Sequence, residues 1–412
     1  MKNNIRFDLS DYLIHFFRDI DMAGPNAILL PEHMGWHTII EDPQIPATLM
    51  LRAALRNGRI WATWSYRKGV RTIYGPRPAV CLTDMPIAAF VEASRARHAR
   101  GEAMGEVALV FPKQAMRSLG ARTAIYGLSQ DVSKWPKGAN GAERLLPKDV
   151  LPLEEQYRFV ADGYPVDWTH EREWRWSDEA LDQSRSEDDV SEWNEIPGLN
   201  FYREGIRGMG AIVKTRSHAE LVVRDMLTMV DSGQADGSAF SFVLVTDDLP
   251  SPEDLRDREV LQTALEGATI DIDKYFLVRE SVVAQINRDF TDLVEEVETS
   301  SPAPQHGERG ECWLWVYDGA SDFSRNLLAL GRLFVSRNGR YLARLPEFTQ
   351  ARSLSQREDM ATRLAELVKA KFGVESGYFS VKDSSNPDEV PFYADNHDTS
   401  ISYYNASWMY SS

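Results

Sequence analysis

Strand-like and helical stretches follow one another along this chain without a regular βαβ period, and that pattern limits the fold more than any single motif does. Short aromatic or β-branched runs predict strands over residues 11–17, 79–84, 106–111, 209–214 and 240–246, with a weaker one over 121–128. Helical spacing of Leu51, Ala54 and Leu55 predicts a helix over 46–57, stopped by Gly58. A second helix opens at the capping box Ser217-x-x-Glu220 and closes near Gly233. This irregular mixture implies an α+β fold built on an antiparallel or mixed sheet.

At 412 residues the chain exceeds one ordinary core. The clearest break is 299–310, short of apolar side chains and carrying Pro302 and Pro304. The division it suggests is a region 1–298, a linker 299–310 and a C-terminal α+β domain 311–412. That last part reads as a strand over 312–317, a helix near 323–330 and a hairpin turned by Asn338-Gly339. A long amphipathic helix then runs from the capping box Ser355-x-x-Glu358 to Gly373, with strand-like stretches at 377–381 and 389–395. Residues 178–195 hold eight acidic residues and one arginine, and read as an exposed acidic insertion.

Charge is distributed unevenly within a formal total of −16. Residues 1–150 carry 20 basic and 14 acidic residues, a net +6, and the window 51–100 has ten basic against two acidic. A local positive field in an acidic chain suggests an anionic ligand of modest size, since non-specific duplex binding asks for a wider basic surface. Two cysteines, Cys81 and Cys312, offer neither a disulfide framework nor a cysteine-based metal site. No apolar run reaches membrane-spanning length and the first residues lack a signal-peptide core, so the expected compartment is the cytoplasm, with no membrane partner. His33 and His37 have the spacing of helical metal ligands, but Pro31 and Gly35 argue against a continuous helix, and no metal site is assigned.

The segment His170-Glu171-Arg172-Glu173-Trp174-Arg175-Trp176 alternates as a strand does. On a strand Glu171, Glu173 and Arg175 would share one side, with His170, Arg172, Trp174 and Trp176 on the other. Two carboxylates on one side make a candidate catalytic edge; the plainer reading is the acidic solvent face of an antiparallel strand. Trp61, Trp64, Trp174 and Trp176 fit core positions better than base-stacking platforms.

Taken in order, His15 in an aromatic strand, a helix ending Gly58-Arg59-Ile60, the strand Val80-Cys81-Leu82-Thr83-Asp84-Met85-Pro86 and the Glu171-x-Glu173-Trp174-Arg175 strand form a series. The series resembles the abortive-infection, phage-defence proteins of the AbiGi type, similar to the DarT-like branch of the ADP-ribosyltransferase fold. The resemblance covers residues 10–245. It departs from the family pattern where Phe16 and Phe17 follow His15, where Leu82 replaces a phenylalanine and where Asp84 replaces a glutamate. It implies an NAD-dependent mono-ADP-ribosyltransferase acting as a toxin or effector in phage defence. NAD would be the donor substrate, and the acceptor an unidentified nucleic acid or protein. A cognate antitoxin or a phage protein is the implied partner. Residue by residue, it implies Glu173 as the transition-state carboxylate and Glu171 as the group orienting the acceptor. It places His15 and Thr83 in NAD binding, with Arg67 or Arg71 toward the pyrophosphate.

Two other functions use the same residues. A metal-dependent nuclease could draw on Glu171, Glu173 and Asp84, although Arg175 stands where a lysine is usual. A non-catalytic antitoxin or phage-sensing module would explain the altered start at His15, but gives no reason for two carboxylates on one side.

Overall fold

A computed structural model describes residues 10–21, 44–67, 70–100, 104–127, 144–161, 167–177 and 197–392. His33, His37 and the acidic stretch 178–195 lie outside the described residues, as does 393–395 of the last expected strand. The fold is α+β, and the chain divides into two compact units. The first takes residues 1–222 and 238–271, the second 223–237 and 272–412.

The first unit is organised by eight strands: β1 Tyr12–Phe17, β2 Ala79–Thr83, β3 Val107–Pro112, β4 Arg122–Thr123, β5 Glu173–Ser177, β6 Met209–Val213, β7 Phe240–Val245 and β8 Thr269–Asp271. They form one mixed sheet in the order β8-β7-β6-β3-β1-β2-β5-β4. Only β6 and β7 run parallel; the other neighbours are antiparallel. Helices α1 Ala47–Asn57 and α2 Ile87–His98 and the short α3 Lys113–Ser118 connect the early strands. Then come α4 Arg216–Asp231 and α5 Arg258–Ala268. One core gathers Ile14, Ala108, Val110, Ile212 and Leu244 from alternate strand positions against Phe90 and Val91 of α2. Gly58 ends α1 in the left-handed region at φ 63°, where a Cβ would lie 2.3 Å from the Tyr202 ring, so the expected stop is also the only residue type that fits.

The sheet is weakest in its middle. β1 pairs with β3 over six residues and β2 with β5 over five, but β1 and β2 meet at the single pair Ile14–Thr83. Beyond that pair an imidazole takes the place of a ladder amide: His15 Nδ1 donates to the Cys81 carbonyl at 2.9 Å. A carbonyl can only accept, which puts the proton on Nδ1.

Three expectations are corrected. The alternating heptapeptide is not one strand, because Trp168–Glu171 forms a 3₁₀ turn capped by Asp167 and Arg172 takes φ 48°, so β5 starts at Glu173. The boundary falls at 271/272 instead of 298, since the helix α6 Glu280–Ser300 buries Phe290, Val294 and Val297 in the core of the second unit. Nor is 299–310 a loose linker. The carbonyls of Gln305 and Glu308 accept from the amides of Ser353 and Leu354, and Gln305 donates to Gln356, so its backbone is tied to the start of the helix α8 Leu354–Phe372.

The second unit is a four-stranded antiparallel sheet with α6, α7 Asp322–Ala329 and α8 against it. Its strands are β9 Gly310–Val316, β10 Leu333–Val335, β11 Tyr341–Ala343 and β12 Ser376–Lys382, in the order β10-β11-β9-β12. The Asn338-Gly339 hairpin forms, with Val335 opposite Tyr341 and Gly339 at φ 79°. Helix α8 is capped two residues earlier than expected, by a reciprocal box between Ser353 and Gln356. Helix α4 likewise starts one residue before the expected box, with Thr215 Oγ1 accepting from the His218 amide. No strand forms over 389–392. Among the described residues no helix is long and apolar enough to cross a membrane.

Candidate active site

Where β1 and β2 part, a cleft of about 560 Å³ opens, within the range of about 300–1,000 Å³ common to small-molecule sites. His15 and Phe17 of β1, Cys81 and Thr83 of β2 and Glu173 and Arg175 of β5 line it. Antiparallel register explains the last four: Thr83 faces Glu173 and Cys81 faces Arg175 across the ladder, so all four share a side. Trp174 and Trp176 leave from the other side, where their indole N–H groups donate to Asp84 (3.3 Å) and to the Leu119 carbonyl (2.9 Å). Of the four tryptophans, Trp64 and Trp174 are buried as expected, whereas Trp61 forms part of the cleft wall.

Glu173 is gripped by its own strand. Arg175 Nε and Nη2 donate to its two carboxylate oxygens at 2.8 and 3.0 Å, a bidentate pair, and Arg175 Nη1 donates to the carbonyls of Tyr157 and Phe159. Burial by itself would lower the arginine's pKa; the adjoining Glu173 carboxylate more than offsets it and holds the guanidinium above its ordinary value. The backbone of Glu173 is fixed as well, its amide donating to Tyr126 Oη at 2.7 Å.

Glu171 reaches the same cleft from the 3₁₀ turn, and its carboxylate accepts from Arg97 at the end of α2 at 2.7 Å. The two carboxylates thus converge as expected, but one from a turn and one from a strand. His15 is held by burial below its ordinary value near 6.5, the Cys81 carbonyl only partly opposing this, so it is neutral at pH 7 with Nε2 as an acceptor. Burial likewise pushes the Cys81 thiol up, with the nearby Glu173 adding to it, which makes Cys81 a poor nucleophile.

Among the described residues the cationic side chains in the wall are Arg18, Arg59, Arg97, Arg144 and Arg175, against Glu171 and Glu173. Of the two arginines expected there, only the side chain of Arg71 is described. Arg71 is buried at 7% exposure with its guanidinium 4.6 Å above the Trp64 ring and does not line the cleft, because stacking satisfies it inside the fold. Arg67 pairs through its backbone with Val70, and its side chain lies outside the described residues. Arg59 and Arg97, which do line the cleft, belong to the basic 51–100 window. Thr83 does line the cleft, yet its hydroxyl donates inward, to the Glu171 carbonyl at 2.6 Å, and is not turned to a ligand.

The nuclease trio does not assemble. Asp84 Oδ2 accepts from Lys113 (2.7 Å) and Trp174, on the side of β5 away from the cleft, so Asp84 does not join Glu171 and Glu173. Among the described residues no group of three or more His, Cys, Asp or Glu side chains is arranged to hold a metal ion.

Residues 278–406 match a family model described as a protein of unknown function (DUF4427), a match that lies within the second unit. No curated protein and no solved structure matches the chain.

Proposed function

We propose that the cleft binds NAD and transfers its ADP-ribose to a nucleic acid or protein acceptor, making the chain a mono-ADP-ribosyltransferase of phage defence. The observation that carries this reading is the meeting, in one arginine-walled cleft, of neutral His15 with the Glu173 carboxylate held by Arg175. NAD supplies a leaving nicotinamide and a ribose carbon that becomes cation-like as the glycosidic bond breaks. Glu173, fixed at both oxygens and at its own amide, is a preorganised negative charge that need not reorient as positive charge develops beside it. His15, neutral and with Nε2 as acceptor, suits a ribose hydroxyl, which donates. Arg18, Arg59 and Arg144 suit a diphosphate, and the half-buried Trp61 and Trp168 suit the rings at either end. Glu171 stands next to Glu173 as the group that would orient the acceptor.

Incubation with labelled NAD, alone and with extract treated with DNase, RNase or protease, tests this by nicotinamide release and label transfer. The expected result is transfer that one treatment removes and that Glu173→Gln abolishes, with folding kept because glutamine still offers Arg175 an oxygen. An active Glu173→Gln enzyme would take Glu173 out of the reaction, and absence of both NAD binding and nicotinamide release would overturn the reading.

A further inference from the structure

Glu171 and Glu173 both line the cleft although the backbone between them leaves the strand path. Two residues apart on a regular strand would share a side, but Glu171 sits in the 3₁₀ turn and Arg172 is a non-glycine residue at φ 48°. A left-handed conformation at such a residue is strained and persists only where its surroundings hold it.

What holds it is the dipeptide Thr83-Asp84. Thr83 Oγ1 donates to the Glu171 carbonyl at 2.6 Å and the Asp84 amide donates to the Arg172 carbonyl at 3.1 Å, so consecutive carbonyls of the turn are captured by consecutive residues at the end of β2. Thr83 Oγ1 in turn accepts from the Met85 amide at 3.2 Å, which fixes the hydroxyl's direction. The Asp84 carboxylate, buried and anchored by Lys113 and the Trp174 indole, lies 3.7 Å from the Arg172 guanidinium. With Arg172 drawn toward Asp84, Glu171 is left to Arg97 in the cleft.

We infer that Thr83 and Asp84 are positioning residues that set the Glu171–Glu173 pair for transfer, with Thr83 acting through the turn and not as a ligand contact. The inference rests on the transferase reading for its kinetic consequence, but its structural content stands apart from it.

The test uses the full-length protein, with Thr83→Val, which keeps the shape and deletes the hydroxyl, and Thr83→Ser, which restores it. In the labelled-NAD assay Thr83→Val should lower kcat about tenfold or more while KM for NAD stays within about twofold, and Thr83→Ser should recover most of the loss. This is the split expected of a group that acts after NAD is bound. Crystal structures of both variants give a second readout: Thr83→Val should lose the 3₁₀ turn and the Glu171–Arg97 contact, and Thr83→Ser should keep them. A Thr83→Val structure with the turn and the Arg97 contact intact, or a Thr83→Val enzyme whose loss lies wholly in KM, overturns the inference. If the native protein releases no nicotinamide, the transferase reading fails, and the crystal structures still decide whether Thr83 holds the turn. Should Thr83→Val not fold, Asp84→Asn takes its place in both readouts, with the same loss of kcat and of the Arg97 contact expected; an Asp84→Asn protein that keeps both overturns the inference.

Discussion

Each unit contains a carboxylate gripped by two nitrogens of a buried arginine, and the two grips differ in what lies beyond them. In the second unit Arg325 donates to both oxygens of Asp231 at 2.6 and 3.0 Å, each side chain 7% exposed, and Tyr341 Oη adds a third hydrogen bond at 2.8 Å. Burial and the same carboxylate push the Tyr341 hydroxyl well up, so it remains a donor. In the first unit Arg175 grips Glu173 in the same way, but Glu173 also lines a cleft. A closed pair is architecture, tying residues 223–237 to the sheet of the second unit. An open pair has a side on which charge can act. Geometry of an ion pair therefore does not separate structure from function; what it faces does.

Asp231→Ala should give the largest effect, a loss of about 3–5 kcal/mol seen in thermal or urea unfolding, because it leaves Arg325 buried without its carboxylate. Turnover per folded molecule should be unchanged; a large loss of turnover at full stability would break the comparison. Glu173→Gln should do the reverse, costing about 10²–10³ in nicotinamide release, or roughly 3–4 kcal/mol of transition-state stabilisation, with a smaller loss of melting than Asp231→Ala because glutamine keeps one acceptor oxygen on Arg175.

His15→Gln sharpens the contrast further. Since the folded protein holds His15 below its ordinary value, the unfolded chain takes up that proton first as pH falls. The penalty is absent above about pH 6.5 and grows below it, so the variant should melt with less pH dependence between about 5 and 7 while turning over about tenfold more slowly. An unchanged slope would mean that His15 does not carry the acid sensitivity.

Glu358→Gln in the second unit should have the smallest effect. Burial raises this carboxyl above its ordinary value of 4.5, although Ser380 donates to it at 2.5 Å. A raised acid destabilises the fold as pH climbs past its unfolded value, so the variant should melt about 1 °C higher at pH 7 and gain nothing below about pH 4.5. A variant that melts lower at pH 7 would mean that the charge is wanted there.

Much of this fold was legible in the sequence wherever one periodicity ran uninterrupted. Strands β1, β2, β3, β6 and β7, helix α1 with its Gly58 stop and the Asn338-Gly339 hairpin come from local pattern and turn chemistry, which neighbours in sequence decide. The alternation around Glu171 misled because a period of two cannot reveal one residue at positive φ. The reason for that conformation lies at Thr83 and Asp84, 88 positions away. The linker misled for a similar cause: prolines and polar residues describe loose chain and tightly hydrogen-bonded chain equally well.

By itself the sequence determined the α+β class, the positions of most strands and three residues that line the cleft, His15, Glu171 and Glu173. Only the tertiary structure decided that β1 and β2 part after one pair to make a cleft, that Arg97 and Arg175 meet the carboxylates, and that Arg71 stacks on Trp64 away from the cleft wall. The reason is physical. Element type follows from contacts between near neighbours in sequence, whereas which charge faces which depends on register and strand order, and those are set by packing of the whole sheet.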